Sequence, residues 1–209
     1  MAASHGPHIL EWARRVQAIA QTGLAYCRDE YDRQRYRQLQ ELVAELLSTE
    51  LGLTTAQIRD IWRYEGGYVT PKVDVRGAVF DAETVLLVRE RSDGGWTLPG
   101  GWADVNDTPS QAVEREIHEE SGYRARAVKL AAVYDRNRHP HPPTAHHAYK
   151  LFFLCELVGG EARTSCETDG VGFFPIDRLP TLSTSRVTRS QIVRLFEHYR
   201  SRDLPTDFD

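Results

Sequence analysis

The sequence predicts an α/β (α+β) sandwich preceded by a small helical domain. Apolar residues recur at three- and four-residue spacing through the first third of the chain, and short alternating apolar runs follow beyond residue 67. Helical patterns flank those runs, which is typical of a sheet covered by helices. The length of 209 residues suffices for a small domain joined to a medium-sized one. We therefore expect a helical domain at residues 1–66 and the main domain at residues 67–209.

Three amphipathic helices are predicted in the first third of the chain. The stripe expected to be buried on the first helix consists of Ile9, Trp12, Val16, Ile19 and Leu24. The corresponding stripe on the second helix consists of Tyr36, Leu39, Val43, Leu46 and Leu47. Gly52 ends the second helix, and Thr54 caps a third that carries Ile58 and Trp62. This pattern places Trp12 and Trp62 in the core of a bundle, which packs against the main domain or against a second subunit in a homodimer.

Beyond Gly66 and Gly67 the pattern becomes that of a β-sheet. Strands are predicted at residues 73–80, 85–88, 125–134, 148–157 and 171–175. A turn at Asp81–Ala82 joins the first two strands, and a terminal helix is predicted from about Arg186 to Tyr199. The main domain is therefore expected to combine strands with flanking helices.

A short acidic helix is predicted between Thr108 and Gly122. Thr108 suits the N-cap, Pro109 suits the first helical position, and Gln111 completes a capping box. Gly122 suits the left-handed conformation that often ends a helix. The helix between these signals is about three turns long.

Three carboxylates project from one face of this helix, because Glu116, Glu119 and Glu120 stand at positions i, i+3 and i+4. Like charges at this spacing repel, whereas a hard divalent cation between them would reverse the effect. Mg²⁺ prefers oxygen ligands and commonly bridges carboxylates to substrate phosphates. Ahead of the helix, Gly100–Gly101 allows a turn that can present a carbonyl as a further ligand. We therefore predict a site for Mg²⁺, with Mn²⁺ as a substitute.

An acidic cluster at helical spacing is more often a solvated helix face than a metal site. Here the cluster is accompanied at fixed offsets by Leu98-Pro-Gly-Gly101, by Asp107 six residues after Gly101, by the Arg115–Glu116 pair and by the closing Gly122. Together these features favour a metal site that faces a polyphosphate.

Residues 101–123 resemble the Nudix box, the signature of hydrolases that act on a nucleoside diphosphate linked to another moiety. The family pattern is Gly, five residues, Glu, seven residues, then Arg-Glu-aliphatic-any-Glu-Glu-any-Gly-aliphatic. This sequence departs from it at two positions, with Asp107 in place of the first Glu and Tyr123 in place of the final aliphatic residue. The resemblance implies an α/β/α sandwich with a mixed sheet over roughly residues 69–209, and Mg²⁺-dependent hydrolysis of a pyrophosphate bond.

The resemblance also implies roles for individual residues. The metal ligands would be the Gly100 carbonyl, Glu116, Glu119 and Glu120. Arg115 would hold a ligand carboxylate in place, and Asp107 would lie near Arg115 and orient it. The side chain of Asp107 is one methylene shorter than that of the family's Glu, so the role of orienting Arg115 is carried over to a different side chain.

Nearly the whole chain resembles a subgroup that contains bacterial CDP-choline pyrophosphatases, whose members are often labelled ADP-ribose pyrophosphatases. The resemblance rests on the helical N-terminal region and on the segments at residues 68–76 and 96–104. It implies CDP-choline or ADP-ribose as substrate, cut to a nucleoside monophosphate and a phosphorylated remainder.

Hydrolysis needs a carboxylate that takes a proton from the attacking water. Glu120 is one candidate for this base and Glu167 is another. The candidates for contact with the substrate are Arg76, Arg89, Arg91, Lys150 and Trp102. The indole of Trp102 is suited to stacking on a nucleobase. Each of these basic residues, taken singly, is more often a surface or ion-pair residue than a phosphate contact.

Two other groups of side chains, histidines and cysteines, have the chemistry of metal ligands. His139, His141, His146 and His147 lie in a segment whose prolines deny them the regular spacing of a metal site, which favours a substrate-gating loop over zinc. Cys27, Cys155 and Cys166 show no CxxC spacing, which favours free thiols in a reducing compartment.

The charge balance and the apolar pattern exclude several classes of protein. The net charge of −4 gives no electrostatic reason to expect tight nucleic-acid binding. No run approaches the roughly 20 apolar residues that span a bilayer, and the first residues lack the pattern of a secretory signal, so a cytoplasmic enzyme is expected. Two alternatives stay open at this point: a hydrolase of RNA ends or oligonucleotides, and a catalytically silent Nudix-like module that binds a ligand. The three intact glutamates argue against the silent module.

Overall fold

The computed structural model describes residues 6–63 and 66–209 of the chain. These residues form two compact units. One unit contains the chain up to Pro71 together with Pro143–His147, and the other contains Lys72–Pro142 with Ala148–Asp209. The division after residue 66 stays our proposal for the domain boundary.

The first unit is built from three helices. They are α1 (Gly6–Tyr26), α2 (Glu30–Leu51) and α3 (Thr55–Trp62). The carboxylate of Asp29 caps α2 by accepting hydrogen bonds from two backbone N–H groups, and Gly52 ends that helix at a φ of +64°. Thr54 and Gln57 form a capping box at the start of α3. The end of α2 at Gly52 and the cap of α3 at Thr54 agree with the sequence prediction.

The buried face of α1 differs from the predicted stripe. The hydrophobic core of the helical unit consists of Leu10, Ala13, Val43, Ala44, Leu47, Ile58 and Ala145, with Trp62 packed against it. The prediction was wrong for Trp12 and Ile19, which are 61% and 62% exposed, and for Leu46 on α2. The physical reason is that α1 turns small residues towards α2: a Cβ on Gly23 would overlap the ring of Tyr36. The bulky residues of α1 are therefore left on its outer face.

The second unit contains seven strands and two helices. The strands are β1 (Lys72–Asp81), β2 (Thr84–Glu90), β3 (Trp96–Thr97), β4 (Tyr123–Asp135), β5 (Ala148–Gly160), β6 (Thr168–Pro175) and β7 (Asp207–Phe208). The helices are α4 (Pro109–Ser121) and α5 (Arg189–Arg200). The strand order is β3-β2-β1-β5-β4-β7, with β6 paired to β2. Because β1 runs parallel to β5 while β4 runs antiparallel to β5, the sheet is mixed, as predicted.

The two helices of this unit cover opposite faces of the sheet. Along β5, Phe152 and Leu154 belong to the core that contains Ile192 of α5, whereas Phe153 belongs to the core that contains Ile117 of α4. This alternation follows from the two-residue period of a strand. Each fully buried side chain of this size contributes about 1.5–3 kcal/mol to folding. The arrangement is the predicted sandwich.

Close packing places α4 directly on β1. A Cβ on Gly77 would lie 2.5 Å from Cδ1 of Ile117, so only glycine lets the helix approach the strand this closely. The turn at residues 98–101 runs along the same strand, because the backbone N–H groups of Val75 and Gly77 donate to the carbonyls of Gly101 and Pro99. One strand therefore positions both the acidic helix and the turn before it.

Two further expectations concern thiols and membranes. The thiols of Cys27, Cys155 and Cys166 are free; Cys155 is buried and Cys166 is exposed. None of the helices in the described ranges has both the length and the apolar composition to cross a membrane.

Candidate active site

Helix α4 carries the candidate active site and is held at both ends as predicted. Thr108 and Gln111 form a complete capping box, and Pro109 occupies the first turn. Gly122 adopts a φ of +76° and donates its N–H to the carbonyl of His118. The carboxylates of the helix therefore project from a well-anchored scaffold.

The three glutamates on α4 are held by two different partners. Nη1 of Arg115 donates to Oε1 of Glu116 at 2.9 Å and to Oε2 of Glu119 at 3.0 Å. Glu120 points to the turn instead, and its Oε2 accepts the N–H of Gly100 at 2.9 Å. Exposure rises outward, from 5% for Glu120 to 56% for the side chain of Glu119. The three carboxylates thus extend from the protein interior to the solvent.

The turn before the helix leaves one carbonyl available. The carbonyl oxygens of Leu98, Pro99 and Gly101 accept hydrogen bonds from β1 at 3.2, 2.9 and 2.9 Å, respectively. For the carbonyl oxygen of Gly100, no donor is found among residues 6–63 and 66–209. This oxygen is therefore available as a ligand.

The two glycines of the turn are required for different reasons. Gly100 has a φ of +143°, and a Cβ there would overlap the carbonyl oxygen of Val75. A Cβ on Gly101 would lie 3.0 Å from Oε2 of Glu116. Gly100 therefore permits the backbone path, and Gly101 leaves room for a carboxylate.

Arg115 is surrounded by acidic side chains. Its Nε donates to Oδ2 of Asp107 at 3.1 Å, and its Nη2 lies 3.0 Å from Oδ2 of Asp104. Burial opposes the charge of Arg115, but the hydrogen bond to Asp107 and the charges of Glu116 and Glu119 outweigh this effect and raise its pKa. Despite its shorter side chain, Asp107 therefore reaches Arg115.

Burial raises the pKa of both inner carboxylates, Glu116 and Glu120. Burial raises the pKa of Glu120 to about 7, against the opposing effects of Arg76 and of the Gly100 N–H. Burial also raises the pKa of Glu116, against the charge and hydrogen bond of Arg115. Desolvated carboxylates of this kind are stabilised in their charged form by a nearby cation.

The donor set of this region fits a hard divalent cation. It consists of carboxylates on one helix face and one available carbonyl, which are the oxygen ligands that Mg²⁺ prefers. Within the described ranges, no three His, Cys, Asp or Glu side chains converge as a formed metal site. Arg115 binds one oxygen each of Glu116 and Glu119, and the Gly100 N–H binds one oxygen of Glu120. The chemistry of the ligands therefore fits, and the assignments of Gly100, Glu116, Glu119 and Glu120 to a metal stay predictions.

A buried ionic cluster lies under the turn. Nε of Arg76 donates to Oδ1 of Asp74 at 2.8 Å, and Nζ of Lys150 forms an ion pair with Oδ2 of the same carboxylate. Lys150 is fully buried and Arg76 is 5% exposed. Burial lowers the pKa of Lys150 to about 8, although the charge of Asp74 opposes this shift. Both basic residues were candidates for contact with substrate phosphates. Here Arg76 donates to the Leu98 carbonyl of the turn at 3.2 Å and Lys150 pairs with Asp74, and their contact with substrate stays a prediction.

The other predicted substrate residues are more exposed. Trp102 is 48% exposed, and Nζ of Lys72 lies 5.8 Å from its ring centroid. Arg91 donates its backbone N–H to the carbonyl of Glu167 at 2.9 Å. Nε of Arg89 pairs with Asp169 at 2.6 Å. Arg89 is therefore an ion-pair residue in this structure, whereas Arg91 and Trp102 are accessible to a ligand.

The loop that carries Glu167 is tied to the acidic helix. Oγ1 of Thr168 donates to the carbonyl oxygen of Glu120 at 2.8 Å. Glu167 itself is exposed, and its charge contributes to raising the pKa of Glu90. Glu167 thus stands next to Thr168, which binds the end of α4, and its role as a base stays a prediction.

The histidine-rich segment does not form a cluster. Nδ1 of His141 donates to the carbonyl of Thr184 at 2.7 Å, and Nε2 of His141 lies 3.0 Å from Nε2 of Gln191. Burial lowers the pKa of His141 to about 4, so this ring is neutral. His139 pairs with Asp209 instead, and His146 and His147 belong to the other compact unit. The preference for a substrate-gating loop over a zinc site stays a prediction.

One buried acidic residue of this region, Glu90, was not predicted from the sequence. Glu90 ends β2, is 5% exposed, and accepts Nε of Arg186 at 2.9 Å. Its charge contributes to raising the pKa of Glu120. The available signal was an acidic residue between Arg89 and Arg91 at the end of an otherwise apolar strand.

Comparisons with known proteins identify the family. A model described as the NUDIX domain matches residues 70–196. A second model, described as a UDP-X-like N-terminal oligomerisation domain, matches residues 7–62. The chain therefore belongs to the Nudix family and is a Nudix hydrolase. The resemblance seen in the box at residues 101–123 is confirmed.

Individual relatives match over different lengths. The chain is 47% identical over 200 residues to a Bacillus subtilis (strain 168) protein, YjhB, described as a candidate ADP-ribose pyrophosphatase; the match covers 96% of both. A crystal structure of an ADP-ribose pyrophosphatase from Streptococcus suis 89-1591 matches with a TM-score of 0.62 and 39% identity, over 67% of this chain and 100% of that one. A crystal structure of a UDP-X diphosphatase matches with a TM-score of 0.64 and 33% identity, over 97% of this chain and 98% of that one.

Proposed function

We propose that this Nudix hydrolase cuts the pyrophosphate bond of a nucleoside diphosphate joined to a second moiety, with ADP-ribose as the first candidate. The products are a nucleoside monophosphate and a phosphorylated remainder. The observation that carries this proposal is the placement of Glu116 and Glu120 against the Gly100–Gly101 turn. Similarity over nearly the full chain to a candidate ADP-ribose pyrophosphatase supports the choice of substrate.

Mg²⁺ is the proposed cofactor, with Mn²⁺ as a substitute. Its ligands are the Gly100 carbonyl, Glu116, Glu119 and Glu120, whose oxygen chemistry suits a hard cation. When bound, such a cation supplies charge neutralisation at the diphosphate and lowers the pKa of a coordinated water.

The chain's own residues orient this set of ligands. Arg115 fixes the carboxylates of Glu116 and Glu119, and Asp107 holds Arg115 from the other side. The Gly100 N–H fixes Glu120. Positioning of this kind accounts for much of the catalysis of phosphoryl transfer, in which the protein forms few covalent bonds.

Glu167 is the proposed acceptor of the proton from the attacking water, with Glu120 as the alternative. Glu120 is nearly buried and already accepts the Gly100 N–H, whereas Glu167 is exposed to solvent. A base must reach the water whose proton it takes. The bond from Thr168 to the end of α4 keeps the Glu167 loop beside the acidic helix.

CDP-choline is the second candidate substrate and rests on the sequence resemblance alone. A UDP-linked substrate is a third, because a UDP-X diphosphatase matches nearly the whole chain. The net charge of −4 disfavours a role on RNA ends. Arg91 and Trp102 are the proposed contacts to substrate, since both are exposed in the unit that carries the site.

A homodimer formed through α1 is proposed as the assembly. The segment that matches an oligomerisation domain contains Trp12, Ile19 and Tyr26, which are 61%, 62% and 69% exposed. They stand seven residues apart and therefore share one line along the helix. An apolar line of this size typically marks a contact surface. A cytoplasmic location is proposed because free thiols suit a reducing compartment.

A phosphatase-coupled screen of nucleoside diphosphate derivatives tests the proposed function. ADP-ribose, CDP-choline and UDP-sugars are compared side by side with Mg²⁺, with Mn²⁺ and with a chelator. Hydrolysis of ADP-ribose that requires a divalent cation, and that is lost in Glu116→Gln, supports the proposal. Absence of turnover on every compound with either cation would favour the silent ligand-binding module instead.

A further inference from the structure

The loop that carries Glu167 closes the C-terminal end of the acidic helix. The last carbonyl groups of a helix have no partner within the helix and need donors from elsewhere. The N–H of Arg163 donates to the carbonyl of Ser121 at 2.9 Å. Oγ1 of Thr168 donates to the carbonyl of Glu120 at 2.8 Å. The loop and the end of α4 are therefore joined at these two carbonyls.

Thr168 differs from the rest of this loop because its side chain is fully buried. Residues 161–164 and 166–167 are exposed, whereas Thr168 is 0% exposed. A buried hydroxyl needs hydrogen-bond partners, and it offers one donor and two acceptor sites. The single donor of Thr168 is used on the Glu120 carbonyl. Its acceptor sites must therefore be filled by other neighbours.

Ser165 fills both acceptor sites of Thr168. The backbone N–H of Ser165 lies 3.2 Å from Oγ1 of Thr168, and Oγ of Ser165 lies 3.1 Å from the same atom. Since the donor of Thr168 is already used, the Ser165 hydroxyl is the donor of the second bond. Oγ of Ser165 in turn accepts the N–H groups of Glu167 and Thr168, both at 3.1 Å. Each hydroxyl therefore uses its donor and both of its acceptor sites.

This network fixes the backbone of Glu167 on both sides. The N–H of Glu167 donates to Oγ of Ser165, and its carbonyl accepts the N–H of Arg91 at 2.9 Å. The side chain of Glu167 is exposed. The backbone of Glu167 is thus tied, through Thr168, to the end of α4, while the exposed carboxylate can still change its rotamer.

We propose that Thr168 is a positioning residue for the hydrolysis. Its hydroxyl sets the place of the Glu167 backbone relative to α4, and hence the reach of the Glu167 carboxylate towards a water at the acidic face. The inference rests on the proposed function, in which Glu167 accepts the proton of that water. The role belongs to the hydroxyl and not to the size of the side chain, because serine can make the same hydrogen bonds and valine can make none of them.

Three variants separate the hydroxyl from the rest of the side chain. Thr168→Val keeps the shape and removes the hydroxyl, whereas Thr168→Ser keeps the hydroxyl and removes the methyl group. Thr164→Val makes the same change at an exposed position of the same loop. With ADP-ribose and Mg²⁺, we expect Thr168→Val to lower kcat about 10–100-fold with little change in KM, the scale for a displacement of about 1 Å. Thr168→Ser and Thr164→Val should keep the wild-type kcat.

A second background shows whether Thr168 acts through Glu167. The carboxylate is absent from Glu167→Gln, so adding Thr168→Val to this variant should cause little further loss of kcat. A merely structural role would lower the melting temperature of both Thr168→Val proteins without this non-additivity in kcat. An equal fold-loss in the two backgrounds would overturn the proposal, as would a wild-type kcat in Thr168→Val.

Hydrogen exchange of the backbone amides gives a readout without turnover. In the protein without ligand, the amides of Glu167 and Arg91 should exchange about tenfold faster in Thr168→Val than in the wild type, as for the loss of one hydrogen bond that holds the loop. Thr168→Ser should match the wild type. Unchanged exchange in Thr168→Val would overturn the proposal whether or not the protein turns over. Faster exchange together with no hydrolysis by the wild type would support the hold of Thr168 on the loop and count against the proposed function.

Discussion

The backbone N–H of Gly100 donates to Oε2 of Glu120 at 2.9 Å, across 20 residues of sequence. This bond joins the glycine turn to the most buried carboxylate of the acidic helix. It fixes that carboxylate with a backbone donor, which has fewer degrees of freedom than a side chain. The inner end of the site is therefore preorganised before any cation arrives.

Removing the charge of either inner carboxylate is expected to abolish most of the activity. Glu116→Gln and Glu120→Gln should each lower turnover by about 100-fold or more at saturating Mg²⁺, the usual scale for loss of one electrostatic group. Each keeps its shape, so the melting temperature should not fall. His118→Gln, exposed on the same helix, serves as the control and should retain activity. Near-wild-type rates in either glutamine variant would contradict the assignment.

A methyl group on Gly101 is expected to slow the enzyme without unfolding it. The added Cβ of Gly101→Ala would lie 3.0 Å from Oε2 of Glu116 and push this carboxylate aside. We expect a loss of about 10–100-fold in activity or metal affinity, as for other groups that orient ligands. Gly66→Ala, where a Cβ meets nothing within 4 Å among residues 6–63 and 66–209, is the control for the substitution itself. Equal kinetics for the two variants would show that the close contact between Gly101 and the Glu116 carboxylate does not affect catalysis.

The stability of the cation-free protein is expected to depend on the ionisation of Glu120. Burial raises its pKa to about 7 in the folded state, above the ordinary value of 4.5. The stability linked to protonated Glu120 is therefore fully present below about pH 4.5 and is lost as the pH rises through about 7. In a chelator, the melting temperature of Glu120→Gln should increasingly exceed that of the wild type from about pH 5 to about pH 8. If the melting temperatures of the two proteins changed in parallel with pH, burial of Glu120 would not be the cause of a pH-dependent loss of stability.

A charge on the exposed line of α1 is expected to disrupt the proposed homodimer. Ile19→Glu places a carboxylate at a position that is 62% exposed in one chain and that we propose to be buried between two. Light scattering coupled to gel filtration should give twice the mass of one chain for the wild type and a single chain for Ile19→Glu. Ala56→Glu adds the same charge at an exposed position on α3 and should stay dimeric. A wild-type protein with the mass of one chain would refute the dimer.

Local signals made the acidic helix predictable. Thr108, Gln111 and Gly122 act within a few residues of themselves, so the sequence alone indicates where α4 begins and ends. The need for glycine in the turn at residues 100–101 is equally local. Local interactions of this kind can be predicted without knowledge of the tertiary fold.

Long-range partners could not be predicted in the same way. Lys150 meets Asp74 because β5 runs parallel to β1 in one particular register, which joins residues 76 positions apart. Periodicity could not decide which face of α1 is buried either, since the choice depends on the small Gly23 that contacts Tyr36 of α2. The exposure of Trp12 follows from that choice.

Crystals soaked in Mn²⁺ and measured at a wavelength where manganese scatters anomalously test the central claim most directly. We predict an anomalous peak coordinated by the carboxylates of Glu116 and Glu120 and by the carbonyl oxygen of Gly100. A peak bound elsewhere, or no bound manganese at saturating Mn²⁺, would contradict this assignment.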